Sequence, residues 1–355
     1  MADGPVMGIT DVREAIAWQA DHAEKAAAPN TARVVRAQLA ILDTRTELAR
    51  RIREWPGLSL EDAMPLRVAA GFHWLCLTGA DRRLEPAYAG ELTDQAAIDE
   101  LVAAIAVAWD AKLVPWLDSP PQTNEAGRSA SFIAALLWLS DRLGPRFEMN
   151  EIGASAGVNT MIERYRYELG GVTAGPADSP MLIRPDWRGP PPPAGEIEIV
   201  AIRGCDVAPV DLSDPGEALR LKAYVWPDAA ARMGRIEAAV RLASEKPPLL
   251  EREDAGTFVE ERLDAPQEPG VARVLYHSVM WQYLPETTRR SITAAMEQAG
   301  VHATPGKPLA WVRLETNRET FRHELTVRFW PGGEEAVMLA EAHPHGAWVE
   351  WGGVT

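Results

Sequence analysis

The run Glu151-Ile152-Gly153-Ala154-Ser155-Ala156-Gly157 holds the densest chemical signal in the chain. An extended segment meets a turn of small residues, and the turn opens a helical run toward Tyr165. Two chemistries use that arrangement. In a nucleotide-cofactor loop, Gly153 and Gly157 let the backbone approach a ligand, and the helix start offers free N–H groups. In a nucleophile elbow, Gly153-Ala154-Ser155-Ala156-Gly157 spells G-x-S-x-G, and Ser155 attacks an acyl carbon. An elbow also needs earlier strands and an upstream oxyanion-hole segment. The sequence before 147 reads as helices and has no His-Gly-Gly-Gly type segment, so serine hydrolysis is the weaker reading. His343 and His345 near the C-terminus are what keep it open.

Further polar residues fall where strands should end. Asp206 closes Arg203-Gly204-Cys205-Asp206, and Asp254 follows Leu249-Leu250-Glu251-Arg252-Glu253. His277 ends Val274-Leu275-Tyr276-His277. At a strand tip it is a candidate general base near neutral pH. Trp281 and Tyr283 follow it and offer stacking surfaces to a planar or cationic substrate. Asn124 and Arg128 precede a helix; Arg128 suits a bidentate grip on a carboxylate. Each has a bland alternative: an Asp after a strand often caps a helix, and Asn124 and Glu125 do the same. Glu341, His343 and His345 give a weak H-x-H signal, and no metal is expected.

The elements that must hold these residues alternate. Residues 8–117 read as amphipathic helices punctuated by prolines, and a further helix is expected over about 126–143. Strands are expected over 196–207, 248–253, 271–277, 308–314, 324–330 and 348–351. Helices are expected over 215–244 and 286–299. Strands alternating with helices imply a parallel sheet covered on both faces, with an antiparallel closing pair. Residues 166–195, rich in Gly and Pro, look like an inserted hairpin or lid.

Composition narrows the function classes. The 355 residues are 46% hydrophobic and carry a net charge of −15. That favours an extensive core and argues against a nucleic-acid partner. Two cysteines make no disulfide framework. No apolar stretch approaches the roughly 20 residues of a membrane span, and Met1–Thr10 lacks a signal-peptide pattern. A cytoplasmic protein with a small-molecule substrate is the expectation; oligomeric state is not legible.

The strand-tip pattern resembles that of class I S-adenosylmethionine-dependent methyltransferases. The resemblance implies a Rossmann-like sheet, mostly parallel with an antiparallel last strand, in residues 121–355, behind an all-helical cap in residues 1–120. It implies S-adenosylmethionine as cofactor. Glu151, Gly153, Ala154, Ser155 and Gly157 would cradle its methionine part, with Asn124 and Arg128 above. Asp206 would take the ribose and Asp254 the adenine, while His277, Trp281 and Tyr283 face the acceptor. Over nearly its whole length the chain is also similar to a bacterial family known as domain of unknown function 2332. That similarity rests on Gln122-Thr123-Asn124-Glu125-Ala126-Gly127-Arg128, the Glu151-to-Asn159 run, Arg203-Gly204-Cys205-Asp206, Val225-Trp226-Pro227-Asp228, His277-Ser278-Val279-Met280-Trp281-Gln282-Tyr283-Leu284, and His345-Gly346 before Trp348. It implies the same fold and names no activity. A non-catalytic sensor of a nucleoside-like metabolite is the alternative to an enzyme.

Overall fold

The computed structural model describes residues 9, 11–57, 62–122 and 124–352. The α-helices, in chain order, are α1 (Val12–Lys25), α2 (Pro29–Ile41), α3 (Glu47–Arg53), α4 (Met64–Leu77), α5 (Glu85–Tyr88) and α6 (Gln95–Leu113). They continue with α7 (Ser129–Leu143), α8 (Pro215–Ala223), α9 (Ala230–Glu245), α10 (Ala255–Asp264) and α11 (Glu286–His302). Contacts divide the chain into two compact units. One holds residues up to 123 with Asp214–Gly234; the other holds Asn124–Ser213 with Arg235–Thr355.

The first unit is helical among its described residues, as the periodicity predicts. Asp11, Thr46 and Asp94 cap α1, α3 and α6 through side-chain oxygens. Ile16, Val34, Ile41, Leu48, Val68, Phe72 and Ile105 meet in its core. The helix α2 follows Ala28, which has no side-chain acceptor to cap it. Asp228 does that work from almost two hundred positions away: its carboxylate accepts from Asn30 N at 3.1 Å and from Thr31 N at 2.8 Å. This explains the last residue of the Val-Trp-Pro-Asp motif. It also shows why residues 214–234 join the helices, an assignment that linear order did not suggest.

The second unit is a mixed α/β layer structure. Its strands are β1 (Arg146–Ile152), β2 (Arg166–Leu169), β3 (Val172–Ala174), β4 (Leu182–Ile183), β5 (Asp186–Arg188) and β6 (Glu198–Asp206). They continue with β7 (Leu250–Arg252), β8 (Ala272–Ser278), β9 (Leu309–Thr316), β10 (His323–Trp330), β11 (Gly333–Ala342) and β12 (Trp348–Trp351). The large sheet runs β5-β12-β11-β10-β9-β8-β1-β6-β7. The neighbours from β7 to β9 are all parallel, and β9 through β12 pair antiparallel. Three elements escaped the sequence: β11, β5 and α10. The strand β11 carries an exposed Glu334-Glu335-Ala336 start, so its apolar alternation begins only near its end. The insertion forms the expected hairpin with β4 beside it, and then contributes β5 to the edge of the large sheet.

Register assigns the faces. Glu151 lies beside Tyr276, Tyr276 beside Val312, Ser278 beside Leu314, and Thr316 beside His323. Neighbouring partners point to the same side of a sheet, so these residues share one face. That face is covered by α7, since Phe132 meets Tyr276 edge-on at 5.0 Å and Trp138 meets Phe329 at 5.8 Å. The opposite face packs Ile152, Leu275, Leu309, Trp311 and Trp330 with α10 and α11. The chain leaves β1 for β6 on one side and returns to β8 on the other. The carboxyl ends of β1 and β8 therefore flank the topological switch point, where open α/β sheets hold ligands.

Candidate functional site

The turn after β1 sits at that switch point. Gly153, Ser155 and Gly157 have φ of +67°, +51° and +69°, the left-handed region that glycine enters freely and serine at a cost. Crowding adds to the demand for glycine: a Cβ on Gly153 would lie 2.9 Å from Met280 Cε, and one on Gly157 2.8 Å from Pro248 Cγ. Gly204 plays the complementary part, because a Cβ there would stand 2.7 Å from Ala154 Cβ. The residues after the turn, Val158–Arg164, form the expected helical run as a 3-10 helix kinked at Met161. Thr160 turns its hydroxyl back onto Gly157 O at 2.8 Å, a local bond that competes with helix propagation.

The turn's donors are already used. Ala154 N donates to Cys205 O at 2.9 Å, and Gly157 N to Ala154 O at 2.8 Å. Ser155 N donates to Asp206 Oδ2 at 2.9 Å, and Ala156 N to Asn124 Oδ1 at 3.1 Å. The structure ties the turn down through Asp206 and Asn124. Asp206 Oδ1 also accepts from Ala208 N at 2.9 Å. Each carboxylate oxygen keeps a second lone pair.

What this locality lacks is partners for its side chains. Glu151 Oε2, Ser155 Oγ and Asn159 Oδ1 are buried without a hydrogen bond. An orphaned buried polar atom costs about 1–3 kcal/mol, and three occur within nine residues of sequence. Burial pushes the Glu151 carboxyl up to about 8, against the pull of Arg128, Asn159 and Tyr276. Arg128, itself 8% exposed, donates through Nε to Pro344 O at 2.8 Å and through a terminal nitrogen to Ser278 O at 3.4 Å. Beside it Glu125 bridges to Arg235 at 2.7 Å and accepts from Gly127 N at 2.9 Å.

His277 is a different case. It is fully buried on the opposite face. Its Nδ1 meets Glu315 Oε1 at 2.6 Å, and its Nε2 accepts from Trp311 Nε1 at 3.1 Å. Trp281 stacks on the ring at 5.1 Å. Glu315 also accepts from Met280 N and Trp281 N, so it fixes the turn after β8. Burial lowers the His277 pKa, and both ring nitrogens are engaged. The structure thus separates His277 from Glu151, which the sequence brought together: adjacent positions on a strand face opposite sides. Trp281 lines a 410 Å³ depression with Arg289 and Thr293, and Tyr283 is 61% exposed. Asp254 caps α10, accepting from Gly256 N at 2.8 Å. A second depression of 630 Å³ lies between α10 and α11 near the start of β9. Neither is lined by Glu151 or the turn.

Sequence reasoning missed Asn159, Thr316 and His323. Asn159 stood in a quoted motif without a role. His323 opens β10, where His323 Nδ1 meets Thr316 Oγ1 at 3.0 Å. Its pKa is lowered by burial first and by the Arg128 cation second. No periodicity signals that partnership; only the β9–β10 register does.

A mixed α/β sheet with a buried acid and cation at its switch point defines the class of protein. The chain belongs to the family described as "Uncharacterized protein conserved in bacteria (DUF2332)", whose model matches residues 13–351. No curated protein and no solved structure matches it. Among the described residues, no helix is long and apolar enough to cross a membrane.

Proposed function

We propose that the β1–β8 switch point binds S-adenosylmethionine and that the protein transfers its methyl group to a small molecule. One observation carries this reading: the turn presents acceptors, not donors. The N–H groups of Ala154, Ser155, Ala156 and Gly157 are consumed, which makes the turn itself a poor cradle for a pyrophosphate. Glu151 Oε2 and Asn159 Oδ1 instead lack donors. An ammonium group satisfies both, and Arg128 beside them suits the carboxylate of the same amino acid. The spare lone pairs of Asp206 suit ribose hydroxyls. The parallel order β7-β6-β1-β8-β9 supports a Rossmann-like reading of the sheet. The cofactor would supply an electrophilic methyl; the chain's own groups bind and orient it, and catalysis comes mainly from positioning.

Hydrolysis by Ser155 has less support. Its Oγ makes no hydrogen bond to any base, and Ala156 N, the elbow's oxyanion donor, is taken by Asn124. Binding without turnover is the second reading, favoured by the Ser155 side chain standing within the glycine turn. Calorimetry on the full chain tests the proposal. S-adenosylmethionine is expected to bind, and Asp206→Ala to weaken it by about tenfold or more, roughly the loss of one charge-assisted hydrogen bond. No binding at millimolar ligand ends the proposal; binding without S-adenosylhomocysteine formation leaves the sensor.

A further inference from the structure

The same end of the sheet carries a second group that the cofactor reading does not use. Thr316 ends β9, His323 opens β10, and both lie on the face of Glu151 and Ser278. Arg128 is the shared neighbour: its charge acts on Glu151 and on His323 alike. His323 is half-buried, and Thr316 Oγ1 holds its Nδ1. In the tautomer whose Nδ1 is protonated, Thr316 Oγ1 accepts from it and Nε2 is the basic nitrogen. The charged and titratable groups around it are Arg128 before α7, Glu315 on β9 and His343 after β11. His277, the residue the sequence favoured, has no free nitrogen and faces away.

We propose that His323 accepts the proton of the methyl-accepting substrate, a small molecule with an O–H or N–H nucleophile, and that Thr316 is its positioning residue. This rests on the methyl-transfer reading above. The substrate's proton passes to His323 Nε2 while its freed lone pair bonds to the methyl carbon; the carbon–sulfur bonding pair stays on sulfur. Burial and the Arg128 cation keep the imidazole neutral at physiological pH, the state that can receive a proton.

The full chain is treated with diethyl pyrocarbonate across pH, and each histidine is followed by peptide mass mapping. His323 is expected to react far faster than His277, with a midpoint below the ordinary 6.5. Arg128→Met should raise that midpoint, and Thr316→Val should shift it without unfolding the chain. S-adenosylhomocysteine formed from S-adenosylmethionine with a mixture of phenols, carboxylic acids and amines provides the turnover probe. His323→Gln should leave S-adenosylhomocysteine affinity unchanged and cut turnover about a hundredfold. If His323 is as unreactive as His277, or its midpoint ignores Arg128→Met and Thr316→Val, the proposal is overturned. Wild-type turnover in His323→Gln overturns it as well. Should S-adenosylhomocysteine fail to bind while His323 reacts and titrates as stated, the cofactor reading falls and the basic imidazole stands.

Discussion

The two faces of the large sheet end in opposite kinds of polar cluster. On the α10–α11 face, His277 has both nitrogens bonded, and Glu315 accepts from His277, Met280 N and Trp281 N, while Arg313 Nε beside them is buried without an acceptor. On the α7 face, Glu151, Ser155 and Asn159 each bury an oxygen with no partner. A fully satisfied network rigidifies the core, whereas a half-satisfied one is a standing cost that a bound ligand can remove. On the proposed reading the contrast assigns stability to one face and binding to the other, although both clusters sit at the same end of the sheet.

The sharpest way to break that contrast is His277→Ala. It leaves the partly buried Glu315 without its His277 hydrogen bond and Trp311 N–H without an acceptor, and it opens a cavity beside Trp281. A loss of about 2–4 kcal/mol in denaturant unfolding is expected. Retained stability with lost S-adenosylmethionine affinity would mean that the faces had been read the wrong way round.

The next test exploits pH. Glu151 is raised in the folded protein to about 8 from 4.5. Below 4.5 both states are protonated. Between 4.5 and about 8 only the unfolded chain ionises, so stability falls as pH rises, at a limiting slope of about 1.4 kcal/mol per pH unit. His277 has the opposite sign: its folded pKa is lowered, so its contribution is present above 6.5 and lost on acidification. Glu151→Gln should therefore stabilise the chain most at pH 8 and little at pH 4, measured as the difference in unfolding free energy from wild type. Calorimetry in buffers of different ionisation enthalpy should also show proton release on ligand binding, absent in Glu151→Gln. A pH-independent difference would remove the strained acid from the picture.

The smallest effect is expected at Ser155. Its φ of +51° is strained for any residue with a Cβ, so Ser155→Gly should stabilise the chain by about 1 kcal/mol. It should also leave or improve cofactor affinity, since the removed hydroxyl has no partner. Destabilisation, read from thermal melts, would show that the hydroxyl is used.

The alternation of strands and helices, the helical character of the first unit and the turn after β1 were legible because period and glycine placement are local properties. Asp206 and Arg128 were legible as polar residues at element ends. What they hold was not: Asp206 ties down Ser155 N, and Arg128 links Glu151 to Ser278 and His323. The strand β11 stayed hidden behind its acidic start. The α2 cap came from Asp228, a partner no window of sequence includes.

The sequence alone determined which segments extend, which coil into helices, and where a bend of small residues must fall, since those follow from side-chain shape and spacing. Only the tertiary structure decided which polar residues share a face. Strand neighbours alternate sides, so His277 and Tyr276, adjacent in the chain, enter different surroundings. Register across β1, β8, β9 and β10 then sets His323, far along the chain, on the face of Glu151.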